Sequence, residues 1–301
     1  MKQQSGPILF ITSKLSRGLV TLAAALQKRG IEAVIASPAG HGEAERLRTR
    51  HIGIFRIRMF RKIFLIPSVG LREFISRARP RVHVADHPAL GLAKRMKLDF
   101  NDSPLEFGVD LSVFNPGSVA PTLQSRFLSE FNIAPHQKLV TVISPLGWGL
   151  GALLRALPLV PSEDIVIALY GSADRIRAAG IIRQIARAQQ KHRITFIGPD
   201  TDMATILRSS YAVMSLARHD PSLLKSAIAT GRPAIWPDNE FGVNPNIMLD
   251  DANLAESIAG ALNMISSLSV SERSRIEKLN IAAAQKFDIE KTTKQLIMTS
   301  R

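Results

Sequence analysis

The chain has 301 residues, no cysteine, 46% hydrophobic and 21% charged residues, and a formal net charge of +14. That length suits two domains of about 100–200 residues each, with enough apolar content for real cores. Without cysteine there are no disulfides and no thiolate metal sites, and a reducing cytoplasm is compatible. The most apolar window, Leu139–Leu154, is broken by Pro145 and three glycines, so no integral membrane span is expected. The apolar run near the N-terminus is too short for a signal-peptide core and reads as a first strand.

Pro7–Thr12 predicts that strand, Ser13–Gly18 a polar turn, and Leu19–Arg29 a helix with Leu19, Leu22, Ala23 and Leu26 on one face, ended by Gly30. Ile31–Ser37 predicts the second strand. In this β-turn-α-β unit Gly18 either lets the backbone approach a bound group or packs the helix on the sheet. His41–Arg50 is polar and expected to be helical, and His51–Met59 alternates as a short strand at a basic edge. From Arg46 to Arg81 eleven Arg or Lys stand against the single acid Glu73, a local charge of +10 that points to an anionic surface or ligand. Within it Phe60–Val69 mixes aliphatic and aromatic residues with Arg61 and Lys62. Together with Arg56 and Arg58 it suits an interfacial segment on an anionic membrane, the alternative being a solvated loop over a core. Leu71–Arg79 predicts a helix, Arg81–Ala85 a strand, Asp86–Pro88 a turn, Ala89–Met96 a helix, and Lys97–Pro104 a strand entering an acidic turn. Gly108–Pro116 is loop-like and Gly117–Pro121 has linker composition, which places the domain limits at 1–116 and 117–285, with 286–301 a last helix able to pack back on the first domain.

The second half repeats the strand–helix rhythm. Leu139–Ile143 predicts a strand, Pro145–Gly151 a glycine-rich turn and Ala152–Leu159 a helix. Asp164–Leu169 is a strand ending at Tyr170-Gly171-Ser172, Ala173–Gln190 a helix, Arg193–Ile197 a strand ending at Gly198, and Thr201–Ser209 a helix. Ala252–Ile265, Ser271–Lys286 and Asp288–Met298 predict three further helices. The expected fold class is α/β: two Rossmann-like doubly wound domains, the second built on four parallel strands.

Tyr211–Asp238 carries the strongest local signal. An apolar strand is followed by the polar turn Ala217–Ser222, then a helix with Leu223, Leu224, Ala227 and Ile228 on one face. Gly231 stops that helix and Pro233 forbids its resumption. In such units ligands sit beyond the carboxyl ends of the strands, where helix N-termini favour anions. Arg218, His219 and Asp220 in the turn, Ser226 on the helix and Asp238 after the next strand are the candidates there. For His219–Asp220 helix capping is the alternative role, and for Asp238 a plain turn. The glycines Gly147 and Gly149 can cradle phosphate through backbone N–H groups.

Several of these stretches, in this order, resemble the retaining GT-B glycosyltransferases, in particular glycosyltransferase family 4. Gly108-Val109-Asp110-Leu111-Ser112-Val113-Phe114-Asn115-Pro116 resembles that family's interdomain motif, Tyr170-Gly171-Ser172 and Phe196-Ile197-Gly198 its glycine-ended strands, Ala227–Pro233 its donor helix, and Arg81–His87 its N-terminal histidine motif. The resemblance implies a nucleotide-sugar co-substrate bound by Gly147, Gly149, Gly171, Gly198, Arg218, His219, Asp220, Ser226 and Asp238, with no metal and no resident cofactor. It puts Gly18, Arg56, Arg58, Arg61 and Lys62 on the acceptor or membrane side, with a glycan or lipid-linked acceptor and a cytoplasmic location, peripheral on the inner face of the membrane. Asp102 and His87 are the catalytic candidates.

Two departures bear on the chemistry. Arg218 and Ser226 stand where the family has paired glutamates, and a guanidinium cannot accept the hydrogen bonds of sugar hydroxyls. Ser144–Gly149 holds no cation for the pyrophosphate, and the N-terminal domain reads as about half the family's size. The expectation is a glycosyltransferase, with a catalytically degenerate GT-B protein that binds a nucleotide, an anionic glycan or a partner as the alternative. Nucleic-acid binding ranks last, since no module motif is present and aromatics are only 6%. His83 and His87 are four residues apart but across a strand end, which is not the helical geometry of a zinc pair.

Overall fold

The computed structural model describes residues 6–13, 15–38, 47–48, 51–60, 64–101, 108–143, 149–161, 164–171, 185–186, 193–198, 200–216, 222–237, 246–250 and 252–299. The chain divides into two compact units, Met1–Gly108 with Phe287–Arg301, and Val109–Lys286. The helices expected over His41–Arg50 and Ala173–Gln190 lie mostly outside the described residues, of which 47–48 and 185–186 are helical.

In the first unit the strands are β1 (Ile8–Ile11), β2 (Ala33–Ser37), β3 (Gly53–Arg56), β6 (Arg81–Val84) and β7 (Phe100–Asn101), in the order β3-β2-β1-β6-β7 and all parallel. Helices α1 (Arg17–Lys28), α2 (Val69–Ala78), α3 (His87–Arg95) and α10 (Ile289–Thr299) cover it. All four residues of β1 are fully buried. Because side chains alternate across a strand, Ile8 and Phe10 pack with Leu19, Leu22 and Leu26 of α1 and Ile289 and Leu296 of α10. Leu9 and Ile11 pack with Leu71 of α2 and Ala89 and Leu92 of α3. Each such burial contributes about 1.5–3 kcal/mol. Helix α1 starts where Ser16 accepts the Leu19 N–H at 3.1 Å and ends before Gly30, whose φ of +75° suits glycine.

The strand expected over His51–Met59 is interrupted at the buried Ile57: β3 stops at Arg56, and β4 (Arg58–Phe60) turns away to pair antiparallel with β5 (Phe64–Ile66). Part of the presumed interfacial segment is thus a hairpin that presents Met59 and Ile66 to solvent, and Val69 follows it as the exposed first residue of α2. Arg61 and Lys62 lie outside the described residues.

The second unit has a six-stranded sheet, β8 (Lys138–Ile143), β9 (Ile165–Tyr170), β10 (Arg193–Ile197), β11 (Ala212–Ser215), β12 (Ala234–Trp236) and β13 (Ile247–Met248), in the order β10-β9-β8-β11-β12-β13 and again parallel. The strands expected in Leu139–Ile143, Asp164–Leu169, Arg193–Ile197 and Tyr211–Asp238 are β8, β9, β10, β11 and β12; the two-residue β13, too short for any periodicity, closes the edge and makes the sheet larger than the four strands expected. Val140 and Val142 face α5 (Leu150–Ala156) and α8 (Leu254–Ser267), while Leu139 and Ile143 face α4 (Pro121–Glu130) and α6 (Met203–Ser209). Pro121 is therefore not linker but the first residue of α4, where its missing N–H costs nothing. The loop before it is held by its own polar residues. Asp110 Oδ1 accepts the Ser112 N–H at 3.0 Å, Asn115 Nδ2 donates to the Leu111 carbonyl at 3.0 Å, and Gly117 N donates to Asn115 Oδ1 at 2.9 Å. Helix α7 (Ser222–Ala229) buries more than the one face its apolar spacing predicts. Ser222, Lys225 and Ser226 are also buried, because α9 (Val270–Ala284) covers the side away from the sheet.

Gly108 sets how α10 seats on the first unit. A Cβ built there would lie 2.5 Å from Ile289 Cα and 2.8 Å from Ile289 N, backbone atoms that cannot rotate aside. Gly108→Ala is expected to lower stability by about 1–3 kcal/mol, the usual cost of overpacking, read as a lower urea midpoint at unchanged slope.

Candidate functional site

In each unit the first strand, β1 or β8, sits inside the sheet, and later strands are added to either side of it. The strand order therefore reverses between β1 and β6 in the first unit and between β8 and β11 in the second. A crevice opens at the carboxyl ends of such a pair of strands, because the helices that follow leave toward opposite faces.

In the first unit Gly18 lies buried in the first turn of α1, just beyond β1. His87 is the first residue of α3, just beyond β6, and Asn101 ends β7. Asp102 lies outside the described residues. Arg56 is the exposed last residue of β3, and Arg58 the exposed first residue of the hairpin. Asp86 is what ties this edge together, a role that its sequence context as a turn residue does not reveal. Its Oδ2 accepts the Thr12 hydroxyl at 2.8 Å and the Ser13 N–H at 2.6 Å, and its Oδ1 caps α3 by accepting Ala89 N–H at 3.0 Å. One carboxylate thus clips the end of β1 to the start of α3 with three donors.

One strand position earlier than the edge, His83 is 2% exposed, its ring 5.8 Å from that of Phe10. Burial, and then the nearby Arg81 charge, hold its pKa below the ordinary 6.5.

The second unit gathers Gly149, Gly171, Gly198 and Ser226 at the carboxyl edge of its sheet. Gly149 precedes α5 after β8, Gly171 follows β9, Gly198 follows β10, and Ser226 lies on α7 after β11. Gly147, Arg218, His219, Asp220 and Asp238 lie outside the described residues. The glycines serve different ends. A Cβ on Gly149 would stand 2.6 Å from Leu216 Cβ, so this glycine lets the start of α5 close against the end of β11, across the switch point. Gly171 has φ +152°, a conformation other residues rarely take, and its N–H donates to the Ile197 carbonyl at 3.0 Å. Around Gly171 and Gly198 a Cβ would meet nothing within 4 Å among the described residues, so toward these both present open backbone at the edge.

Ser226 is buried, and its hydroxyl donates to the Ser222 carbonyl at 2.8 Å. Its proton is therefore spent on its own helix. Lys225, beside it in α7, is 6% exposed and makes a polar contact. It is a cation in the helix that starts at the switch point, whereas the sequence directs attention for one to Ser144–Gly149 and to Arg218. Its place within a mostly apolar helix face hid it. Among the described residues no three His, Asp or Glu side chains stand close enough to hold a metal ion.

The chain belongs by architecture with a well-populated group of structures. It superposes on a glycosyltransferase from Rickettsia africae ESF-5 with a TM-score of 0.76 at 16% identity, 98% of each chain being covered. Against Anabaena Alr3699/HepE, crystallised with UDP and glucose, the TM-score is 0.73 at 16% identity, over 98% of this chain and 99% of that one. The fold is that of the GT-B glycosyltransferases. WaaG, a glycosyltransferase involved in lipopolysaccharide biosynthesis, superposes with a TM-score of 0.60 at 11% identity over 96% of this chain and 98% of its own. In sequence, an alignment 133 positions long that covers 38% of the chain is 31% identical to a glycogen synthase of Rhodopseudomonas palustris (strain BisA53). The match spans 27% of that relative's length. No protein-family model matches the chain.

Two expectations arise from the geometry. His83 stays neutral in the fold while the unfolded chain takes up a proton below pH 6.5. Its contribution is thus complete above that pH and is lost as pH falls toward the folded-state value. Denaturation midpoints should decline from about pH 7.5 to about pH 5, and His83→Gln should flatten that slope. The glycines separate by contact: Gly149→Ala should cost about 1–3 kcal/mol of stability, and Gly198→Ala, with open space, within about 0.5 kcal/mol of none. Equal costs at the two positions would refute the packing role of Gly149.

Proposed function

We propose that the chain is a glycosyltransferase, of the family 4 type, that moves a sugar from a nucleotide-sugar donor to a lipid-linked or polysaccharide acceptor. The observation that carries this reading is the carboxyl edge of the second sheet. At its switch point Gly149 draws α5 against Leu216, α7 starts beside it, and Gly171 and Gly198 offer open backbone. The UDP and glucose held by HepE, a protein of the same fold, support a nucleoside diphosphate sugar as the ligand.

In this reading the donor's diphosphate lies toward the N-terminus of α7, whose N–H groups and helix dipole favour negative charge. Lys225 adds a positive charge in that helix. Gly147 and Gly149 bring backbone to the diphosphate, and Gly171 and Gly198 to the nucleoside or sugar. Arg218 is suited to phosphate by its forked donors, and Asp220 replaces the carboxylate absent at 218 in receiving sugar hydroxyls. In the transfer the bond from the anomeric carbon to the diphosphate oxygen breaks, and the acceptor hydroxyl oxygen bonds to that carbon and releases its proton. His87 and Asp102 are the catalytic candidates in this reading. No metal and no resident cofactor take part; the nucleotide sugar is a co-substrate.

The first unit takes the acceptor side in this proposal, with a shortened N-terminal domain. Arg56, Arg58, Arg61 and Lys62, beside the exposed Met59, Ile66 and Val69, suit the anionic inner face of a membrane. Among the described residues no helix is long and apolar enough to cross a membrane.

Ser226 favours a second reading, a GT-B protein that binds a nucleotide, an anionic glycan or a protein partner without turnover. Its hydroxyl proton is committed to Ser222, where the family pattern has a carboxylate. A panel of UDP- and GDP-sugars, followed by thermal stabilisation and by donor hydrolysis with and without EDTA, separates the two. Turnover that survives EDTA and falls at least tenfold in Asp220→Ala is the expected result, with Lys225→Met raising the donor Kd by about tenfold. Stabilisation without turnover would favour the binding reading. No response to any nucleotide would reject the donor site altogether.

A further inference from the structure

The amino-terminal edge of the second sheet, opposite the donor edge, holds a group of cations that the proposed reaction does not use. Arg208 lies in the last turn of α6 just before β11, Arg232 lies just before β12, and Arg273 lies on α9. Lys138 starts β8 and reaches the same place, its Nζ 5.7 Å from the Tyr211 ring centroid, while the Arg273 guanidinium lies 4.2 Å from that centroid. Among the described residues only Glu277, also on α9, pairs with the group, at a long 3.4 Å from Arg208 Nη1.

Two of these arginines have a structural duty that accounts for part of each side chain. Arg208 Nη1 donates to the Thr230 carbonyl at 2.9 Å, at the C-terminus of α7, and Arg232 Nη2 donates to the Arg208 carbonyl in the last turn of α6. Each cation thus answers the negative end of the other's helix. That leaves donors over. The Nε of Arg208 and the Nε of Arg232 are both buried and have no acceptor among the described residues, and Arg232 as a whole is 8% exposed. Lys138 spends its ammonium on the Ser266 carbonyl at 2.6 Å. Arg273 rests on an aromatic face, which attracts its charge without satisfying its N–H groups. The cluster is under-neutralised as a result. Burial, then Arg208 and Arg273, bring the Arg232 pKa down to about 9 even with Glu277 opposing them.

We propose that Arg208, Arg232 and Arg273 form an oxyanion site for a phosphate group, separate from the donor edge, with Glu277 as the internal counter-ion that the phosphate displaces. A guanidinium offers paired N–H donors at the spacing of two phosphate oxygens, which a point-charge ammonium cannot do. The Arg208 and Glu277 side chains, 13% and 33% exposed, leave a side open to solvent, and Arg273 on the same helix is only part-buried. Glu277 packs over Gly231, whose φ is +84° and whose added Cβ would meet Glu277 Cγ at 2.6 Å, so the carboxylate is held at the mouth of the group.

The phosphate can be free or carried on a small molecule, and titration of the full-length protein at fixed ionic strength with inorganic phosphate, pyrophosphate and a hexose monophosphate distinguishes these sources. Saturable binding to at least one probe is expected, weakened at least tenfold in Arg273→Gln, a change away from both helix-capping bonds. Glu277→Gln keeps the shape that covers Gly231 and removes the competing charge, so it should tighten the same binding by about tenfold. UDP should not displace the bound phosphate, and Arg273→Gln should leave any response to UDP intact. Absence of saturable binding, competition by UDP, or indifference to both substitutions would each overturn the proposal.

Discussion

β1 is apolar on both faces and β8 is buried on both, its one inner polar residue Thr141 sharing a hydrogen bond with Ser210, and the rest of the architecture depends on that constraint. A strand with Ile8 and Phe10 on one side and Leu9 and Ile11 on the other has no surface it can show to water. Helices must cover both faces, so the connections are crossovers and the strands run parallel. Parallel strands put every strand-to-helix turn at the same edge. The glycines, the Asp86 clip and the start of α7 all collect there for that reason.

The two edges of the second sheet differ in kind. At the carboxyl edge close backbone approach dominates: Gly149 against Leu216, and Gly171 bonded to Ile197. At the amino edge the helix C-termini present carbonyls, and Arg208 and Arg232 satisfy them reciprocally. Cations are favoured there by the helix dipoles but repel one another, and a single Glu277 cannot offset the group. In the first unit the carboxyl edge is closed by one carboxylate, with three neutral donors to hold it.

Much of the scaffold was legible along the chain because its elements obey simple periodicities. The strands at Ile8, Ala33, Arg81, Lys138, Ile165 and Arg193 are short apolar runs bounded by turn residues, and α1 shows its buried face at a spacing of three and four. Elements with weak or mixed signals were misread. Pro121 looked like linker yet opens a helix, β13 has only two residues, and the break at Ile57 depends on the hairpin partner β5. The burial of Lys225 and Ser226 could not be read from α7 alone, since α9 covers the side that its polar residues would otherwise turn to water.

The sequence by itself determined an α/β protein with two doubly wound units and the glycines at strand ends. These arise from hydrophobic period and turn chemistry, which act over a few residues. Only the tertiary structure decided that Asp86 holds β1 to α3, and that Gly149 exists to admit Leu216. It also brought Arg208, Arg232 and Arg273 together from three separate elements. Such contacts join residues as many as 74 positions apart, and no local pattern records them, because the chain meets itself there only after both faces of each sheet are covered.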